Sequence, residues 1–501
     1  MADVIRQVGA RLTQPVNQLL RQRFYPGPLE SLRRSYEAFH AFDKAHTVAL
    51  AEVGLMPLEA ARAILEGLRV LESEGLEKTR DGMGGGRHSG EAYLTSRINP
   101  DDAGWINLGR SSGDMDAVAW RFGLRARLPQ VFRQLLSIRR ALVDLAAMHL
   151  ETVMPSYTCL QHAQTTTLAH MLLSWEAPLR RDTGRCFSLY DAAGGSPAGS
   201  GILTGSTFAV PRRRTAELLG FDRIELNTRD AVLNLDVVLE AHSDVSICIA
   251  NLVRMACDLH MWATAEFAMV ELADEYCSTS SIMPQKKNPW TLAWIKGQGS
   301  LSLGRLAGVF AVVRAESDQL ESTLLVPWEL WHALDDVKDM LGLMAGIIST
   351  MKARPDRMRE LASQNWCQAT DLAAAMVERK GIPWRASHQL TAAIVREAVS
   401  RSMKPADLTP EFIDQVARDT GHTPPGLDAS ELRLALDPVE AVRNRACVEG
   451  TPAPERVSDQ LEAARNSIAE DSARLDTLCE RAAAARARLE EAVDAVLEGG
   501  A

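Results

Sequence analysis

The chain has 501 residues, of which 46% are hydrophobic and 5% aromatic, with 55 Lys and Arg against 65 Asp and Glu. This length excludes a single small core and predicts two or three domains. The net charge of −10, without a long basic stretch, argues against a nucleic-acid partner. The sequence also contains no run of about 18 apolar residues, so no membrane-spanning segment is predicted.

The cysteine pattern bears on the compartment. The eight cysteines are scattered, and none forms a Cys-x-x-Cys pair, which favours reduced thiols over a disulfide framework or a zinc site. The stretch MADVIRQVGARLTQPVNQLL has no basic head followed by an apolar core, so no signal peptide is expected. We therefore expect a cytoplasmic protein.

Residues 1–105 mix short helical patterns with loops and are predicted to form an N-terminal helical domain. The most glycine-rich loop is GMGGGRHSG at 82–90. It is interpreted either as a connection between domains or as a loop whose His88 contacts a ligand.

Residues 106–355 are predicted to form a central bundle of long helices. No Gly or Pro occurs between Phe221 and Met283, and apolar residues recur every three or four positions through 238–263. This spacing is typical of a helix, and the uninterrupted stretch predicts one of about 40 residues, or about 60 Å.

Two further long stretches, 130–154 and 291–326, contain no proline. Several helices of this length predict an elongated bundle. Their apolar stripes are longer than one subunit can cover, so we expect association with copies of the same chain.

From residue 356 the helices shorten and prolines return, which predicts a C-terminal helical domain over 356–501. Its end is predicted to be one extended helix, because apolar residues recur every seven positions. These are Leu461, Ile468, Leu475, Ala482, Leu489 and Val496. The spacing is that of a coiled coil, and packing on the same chain or a sister chain is favoured over recruitment of another partner.

The segment EYCSTSSIMPQKKNPW at 275–290 is the most chemically distinctive part of the sequence. It places serines, a threonine and two lysines in a polar stretch between predicted helices. We expect a mobile loop that can close over a pocket.

The core of this segment, SSIMPQKKNP, closely resembles the signature of the aspartase/fumarase superfamily, in the form of its argininosuccinate lyase branch. Four other stretches are similar to that family in order and spacing. They are LGRSSGDMDAVAWRFGLR (108–125), SYTCLQHAQTTTLAHMLL (156–173), SPAGSGILTGSTFAVPRRRTAELLGF (196–221) and QATDLA (368–373). The resemblance covers about residues 10–465. It implies an all-α, three-domain fold with a central long-helix bundle, and a homotetramer in which three subunits converge at each site.

The resemblance also implies a reaction. These enzymes eliminate an amine or a hydroxyl from a succinyl group and release fumarate. A base removes a proton from the carbon beside a carboxylate, and the resulting negative charge needs preorganised donors. Ser281 matches the serine base of the family, and Lys287 would stabilise the charge together with Asn288.

The remaining motifs are expected to hold the substrate, with Arg110 as a bidentate clamp for a carboxylate. The predicted substrate-binding residues are Arg110, Ser111, Ser112, Thr158, Gln161, Ser280, Met283 and Asn288. No histidine spacing indicates a metal site, and no glycine-rich phosphate loop follows a strand. We therefore expect neither a metal nor a cofactor.

The sequence departs from the family pattern at the acid–base relay. Cys159 stands where argininosuccinate lyases carry a histidine, and Ala293 stands where they carry a glutamate. His162 lies three residues after Cys159 and on a helix would share its face, but the resemblance implies that its position is usually not catalytic. The roles of Cys159 and His162 are therefore left open.

A second departure concerns the substrate. Ser112 and Gly113 replace an arginine and an asparagine of the family, and QLESTLLVPW (319–328) does not match its guanidino-reading segment. The sequence therefore favours an N-substituted aspartate other than argininosuccinate, as in the ethylenediamine-disuccinate lyase type. Two alternatives stay open: a non-catalytic relative with a structural or binding role, and a lyase or cycloisomerase acting on another polycarboxylate.

Overall fold

The computed structural model describes residues 17–24, 26–313 and 321–499. Within these ranges the chain is predominantly helical, and the predicted all-α class is confirmed. The α-helices are α1 (Pro26–Arg33), α2 (Tyr36–Glu52), α3 (Leu58–Glu74), α4 (Leu76–Gly82), α5 (Ser89–Arg97), α6 (Pro100–Ala103), α7 (Ser112–Met148), α8 (Leu168–Ala192), α9 (Arg212–Leu218), α10 (Thr228–Leu233), α11 (Asp236–Trp262), α12 (Trp290–Val313), α13 (Glu321–Thr350), α14 (Pro355–Ala362), α15 (Ala369–Lys380), α16 (Trp384–Ser400), α17 (Pro410–Asp419), α18 (Ala429–Ala435), α19 (Pro438–Arg443) and α20 (Pro454–Glu498).

The strands are short and form two-stranded pairs. They are β1 (Val153–Thr158), β2 (Gln161–Thr167), β3 (Gly195–Ser196), β4 (Arg223–Ile224), β5 (Val270–Glu271), β6 (Ser278–Thr279), β7 (Lys287–Asn288) and β8 (Lys352–Ala353). β1–β2, β5–β8 and β6–β7 are antiparallel, whereas β3–β4 is parallel. β1–β2 and β6–β7 are hairpins, and they contain residues that the sequence singles out for chemistry.

The largest apolar core lies where α7, α8, α11, α12 and α13 pack side by side. Its interior includes Trp120, Phe132, Trp262 and Trp331, each no more than 2% exposed. A bundle of this kind forms because each helix carries an apolar stripe that must be removed from water.

Two smaller cores accompany the bundle. One is formed mainly by α2 and α3 with the start of α7. The other is formed by helices between α15 and α18. The predicted division into three domains, with boundaries at residues 105 and 355, stays a prediction.

The terminal helix α20 has 45 residues and is therefore about 67 Å long. Its first half packs into the bundle core through Leu461, Ile468 and Leu475, and its last turns join the core of α2 and α3. Packing on the same chain, one of the two expected outcomes, is observed. Ala482 of the seven-residue repeat is exposed, because Ala485 faces the protein instead.

The prediction of one helix of about 40 residues was wrong. α11 has 27 residues and starts at Asp236, because the Asn227 side chain caps α10 and the Asn234 side chain accepts a hydrogen bond from the Asp236 N–H. Asparagine side chains can thus cap one helix and form the turn before the next without any Gly or Pro. The stretch 291–326 is likewise covered by α12 and α13, and residues 314–320 between them lie outside the described ranges.

No helix in the described ranges is both long enough and apolar enough to span a membrane.

The buried Arg139 of α7 joins three helices. Its guanidinium donates to Glu176 of α8 at 2.8 Å and to Ser467 and Asp471 of α20 at 3.0 and 2.6 Å. Removal of the arginine leaves the Glu176 carboxylate, which is 2% exposed, without this partner. Arg139→Ala should therefore lower the free energy of unfolding by about 3–5 kcal/mol, measured by denaturant unfolding.

The neighbouring Arg140 is the matched control, because its guanidinium makes an exposed hydrogen bond to Ser472. Arg140→Ala should change stability by no more than about 0.5 kcal/mol. Equal losses in the two variants would contradict the structural role of the Arg139 cluster.

Candidate active site

The signature segment forms the hairpin β6–β7, in which Thr279 pairs with Lys287 and Ser278 with Asn288. The Ser280 hydroxyl accepts hydrogen bonds from the N–H groups of Ile282 and Met283, at 3.3 and 3.0 Å.

Ser280 therefore shapes the turn of the loop. The predicted base Ser281 lies next to it and is exposed, as is Met283, whereas Asn288 is half-buried. The predicted polar loop is present, and its predicted residues lie on one hairpin.

Lys287 is held at the base of this hairpin. Its ammonium group donates to the Leu272 carbonyl at 2.7 Å and pairs with Asp274 at 2.6 Å and Glu271 at 3.5 Å. The hydrogen bond with Asp274 is the main reason that the pKa of Lys287 is raised, so the group stays charged. A bound substrate carboxylate would have to compete with Asp274 for this cation. Sequence reasoning missed Asp274, since nothing in its surroundings distinguishes it from a surface aspartate.

Arg110 lies just before α7 and is buried rather than open to a ligand. Its guanidinium pairs with Asp43 of α2 at 3.0 Å, with the side chains of the two residues 1% and 2% exposed. It also donates to the Asn107 amide oxygen at 2.8 Å and lies 4.9 Å from the Phe42 ring centroid. These contacts fix the guanidinium in place, and its role as a carboxylate clamp stays a prediction.

Ser111 is the N-cap of α7. Its hydroxyl accepts from the Gly113 N–H at 3.3 Å, and its own N–H donates to Asp114 at 2.8 Å. This reciprocal capping box could be read from the sequence as Ser-x-x-Asp, but sequence reasoning did not use it. Asp114 also accepts from the Gly201 N–H at 3.3 Å, so it ties the start of α7 to the segment 196–205.

Ser112 begins α7 and lies 2.8 Å from Nε2 of His88. His88 in turn pairs with Glu91 at 3.3 Å. The glycine-rich loop that was interpreted as a connection or as a ligand contact therefore lies beside a predicted substrate-binding residue. Contact with a ligand stays a prediction.

The segment 153–167 forms the hairpin β1–β2. Thr158 and Gln161 are paired across its end, and the turn residues Cys159 and Leu160 have φ values of 51° and 59°. Two consecutive positive φ values are those of a tight hairpin turn. Both turn residues are exposed.

His162 therefore does not share a helical face with Cys159. It lies on β2, where its ring packs edge-on against Tyr157 and its Nδ1 is 3.6 Å from the Cys367 sulfur. Burial lowers the pKa of His162, which favours the neutral imidazole. The shared helical face that would make His162 a replacement for the missing histidine is not formed, because a turn separates it from Cys159.

The predicted site residues form three groups, which lie at two ends of the bundle: residues 110–112 at one end, and the β1–β2 and β6–β7 hairpins at the other. α7 has 37 residues and spans about 55 Å, with Ser111 at its start and β1–β2 directly after its end. Tyr157 of that hairpin packs against Phe267, with ring centroids 5.6 Å apart, and β6–β7 follows a short distance along the chain. Among the described residues, no hydrogen bond or ion pair joins the start of α7 to either hairpin.

Within the described ranges, no group of three or more His, Cys, Asp or Glu side chains is arranged to hold a metal ion.

Comparisons with known proteins find relatives that match most of the chain. A family model described as "Lyase" matches residues 29–301, and one described as "Argininosuccinate lyase C-terminal" matches residues 366–443. Argininosuccinate lyase of Methanothermobacter thermautotrophicus is 36% identical over 436 residues, which cover 86% of this chain and 93% of that protein.

Two solved structures are similar over nearly the whole chain. EDDS lyase in complex with formate has a TM-score of 0.88 at 28% identity, covering 95% of this chain and 96% of that one. An EDDS lyase variant with bound fumarate has a TM-score of 0.87 at 29% identity, with the same coverage.

Asp114 is expected to make the stability of the folded chain depend on pH. Burial raises the pKa of its carboxyl to about 7, so between pH 4 and 7 the folded chain holds a proton that the unfolded chain has lost. Its contribution to stability is therefore present at low pH and is lost as pH rises through 7. Asp114→Asn should remove this loss, so that the melting temperature of the variant rises relative to that of the wild type between pH 5 and 8.

The exposed Asp101 supplies the control. Asp101→Asn should follow the wild-type pH profile of melting temperature throughout. If Asp114→Asn follows it as well, Asp114 is ionised in the fold over this whole range and the assignment fails.

Proposed function

Because the chain belongs to the aspartase/fumarase superfamily, in its argininosuccinate lyase-like branch, we propose that it is a carbon–nitrogen lyase. It cleaves an N-substituted aspartate to fumarate and an amine, or adds an amine to fumarate in the reverse direction. The observation that carries the proposal is the β6–β7 hairpin. It combines an exposed serine, Ser281, with the positive charge of Lys287 and the amide of Asn288.

The proposed reaction is an anti β-elimination. Ser281 takes a proton from the carbon beside the carboxylate that becomes charge-rich, and the electron pair of that C–H bond forms the new double bond. The C–N bond breaks on the opposite face, and the nitrogen leaves with its electron pair. Lys287 and Asn288 stabilise the negative charge on the carboxylate, and the same positive loop favours the serine alkoxide that a base requires.

The leaving nitrogen needs a proton source. Cys159 lies in an exposed hairpin turn, and Ala293 on α12 has no titratable group. No histidine–glutamate pair occupies these two positions, so we propose that the amine receives its proton from water or already carries it. His162, whose pKa is lowered by burial, is not assigned this role.

The proposed substrate differs from argininosuccinate. Ser112 is hydrogen-bonded to His88, where the family carries an arginine. At Gly113 an added Cβ would lie 2.4 Å from Ile202, so an asparagine at this position would require Ile202 to move. The first residues of QLESTLLVPW lie outside the described ranges, as do the side chains up to position 325.

The active enzyme is proposed to be a homotetramer. In one chain, the start of α7 and the two hairpins are at opposite ends of a long bundle, so residues of different copies are needed to complete a site. α12 presents an apolar surface for such contacts: Trp290, Leu301, Leu303 and Phe310 are 62%, 62%, 53% and 49% exposed. Large exposed apolar patches mark interaction surfaces.

A direct test combines fumarate with a panel of amines and, separately, presents N-succinyl amines and argininosuccinate. The change in the ultraviolet absorbance of fumarate measures the reaction. We expect turnover of at least one N-substituted aspartate and little or none of argininosuccinate. Growth of an arginine auxotroph that depends on this chain would refute the substrate proposal, and no turnover of any succinyl amine would refute the lyase proposal.

Ser281→Ala should lower kcat by about a thousandfold or more, in the range expected for loss of a proton-transfer group and its alkoxide, while melting temperature stays unchanged. Lys287→Ala should lower kcat by about a hundredfold or more, as for the loss of a charge-stabilising donor. Lys286→Ala is the matched control, because the side chain of this adjacent lysine makes no hydrogen bond or ion pair with another described residue, whereas Lys287 makes three such contacts; it should retain most activity. Near-native turnover of Ser281→Ala would eliminate the serine as the base.

The assembly proposal predicts that two inactive variants can rescue each other. Ser281→Ala and Ser112→Ala should each have low activity alone, and activity should rise when both chains are co-expressed, because some sites then draw each residue from an intact copy. Light scattering should give four chains per particle. An active monomer, or the absence of any rescue, would contradict it.

A further inference from the structure

A cavity of about 440 Å³ lies between the terminal helix α20, the helix α9 and the middle of α7. Small-molecule sites are clefts of roughly 300–1,000 Å³ with mainly apolar walls, and this one is within that range. Its apolar lining includes Phe122, Tyr190, Phe221, Ile224 and Leu489. None of these residues belongs to the candidate active site.

The charges around the cavity are predominantly positive. Its lining contains six arginines, namely Arg125, Arg213, Arg223, Arg481, Arg486 and Arg488, against the two carboxylates of Glu217 and Asp222. This excess of four positive charges occurs in a chain whose net charge is −10. A positive cleft with low-dielectric walls concentrates anions.

Both carboxylates are already neutralised. Asp222 accepts from Arg125 at 2.9 Å and also pairs with Arg481, while Glu217 pairs with Arg214 at 3.0 Å. Three lining arginines, Arg213, Arg486 and Arg488, are exposed and make no side-chain hydrogen bond or ion pair with another described residue. Their guanidinium groups have the fork geometry that binds a carboxylate through two hydrogen bonds.

Arg125 adds a buried donor beside the cavity. It donates to the Gly220 carbonyl at 2.9 Å and lies 4.6 Å from the Tyr190 ring centroid. Its Nε atom is buried without a hydrogen-bond partner. A buried donor without a partner costs free energy, and an anionic acceptor bound beside it would remove that cost.

One wall of the cavity is α20, which lies directly against the turn after α9. Gly220 has a φ of +75°, and a Cβ at this position would lie 2.7 Å from the Cβ of Ala485. The second matching family model ends at residue 443, so the wall formed by α20 comes from a segment that neither model describes. Along α7, the cavity lies about 15 Å from Ser112, counted from Phe122 at 1.5 Å per residue.

We propose that this cavity binds a small amphipathic anion. The hydrocarbon or aromatic body of the ligand packs on Phe122, Phe221 and Leu489, and its acidic group pairs with the arginines at the rim. A cation of the same shape is repelled by the unpaired guanidinium groups of Arg213, Arg486 and Arg488, and a fully polar anion leaves the apolar walls without a contact.

The probe for the test is the fluorescent anion 8-anilinonaphthalene-1-sulfonate, titrated into the full-length protein. We expect one saturable site per chain, displacement by octanoate and no displacement by octylamine. Absence of a saturable site, or equal displacement by the two competitors, would overturn the proposal.

Two variants locate the site. Arg213→Ala/Arg486→Ala/Arg488→Ala should weaken the affinity for the probe by about tenfold or more, or about 1.4 kcal/mol. Ala482→Trp places an indole on an exposed lining position and should abolish the site. Neither variant alters a buried residue, so melting temperature should stay at the wild-type value.

The matched control removes three exposed arginines from the C-terminal helices, in Arg385→Ala/Arg396→Ala/Arg433→Ala. Its affinity for the probe should equal that of the wild type. If the control and the cavity variant lose affinity equally, binding depends on net charge alone and the proposed site is wrong. The outcome does not depend on lyase activity, so the two proposals can fail separately.

Discussion

The rise of the α-helix, about 1.5 Å per residue, is the constraint on which the arrangement of this protein depends. α7 runs for 37 residues and has buried side chains along its length: its first turns pack in the core of α2 and α3, and the rest packs in the largest core. Although Pro129 lies inside α7 and a proline can kink a helix, the chain stays helical from Ser112 to Met148, so its two ends remain far apart. The residues before its start and the hairpin after its end are therefore held about 55 Å apart, and no hydrogen bond or ion pair among the described residues joins them.

Buried charges hold the first of these two ends. Asp43 of α2 pairs with Arg110 at 3.0 Å and with Arg80 at 2.8 Å. The next residue, Lys44, pairs with Glu72 of α3 and with Glu490 of α20 at 2.7 and 2.9 Å. Two consecutive residues of α2 thus connect the start of α7 to the terminal helix. A buried charge that loses its partner is strongly destabilising, so these pairs restrict how the elements can move.

The residues with chemical potential lie on hairpins and loops, which the bundle holds in position. Ser280 uses its hydroxyl to shape the β6–β7 loop, and Asp274 fixes the Lys287 ammonium group at its base. The β1–β2 turn likewise exposes Cys159 and separates it from His162. Short hairpins on a rigid helical scaffold present polar groups to solvent without disturbing the apolar core.

The sequence by itself determined the helical class and the family. Apolar periodicity and motif spacing are properties of short stretches of sequence, so they can be read without knowing how the elements pack. The sequence did not predict that α11 begins only at Asp236, because the Asn227 cap of α10 and the turn at Asn234 are short polar contacts without Gly or Pro. Only the tertiary structure paired Arg110 with Asp43 and Lys287 with Asp274, and only it placed α20 over a cavity lined by arginines. Those contacts depend on which elements pack together. Packing is decided by the total burial of many apolar side chains, and a short sequence motif does not contain that information.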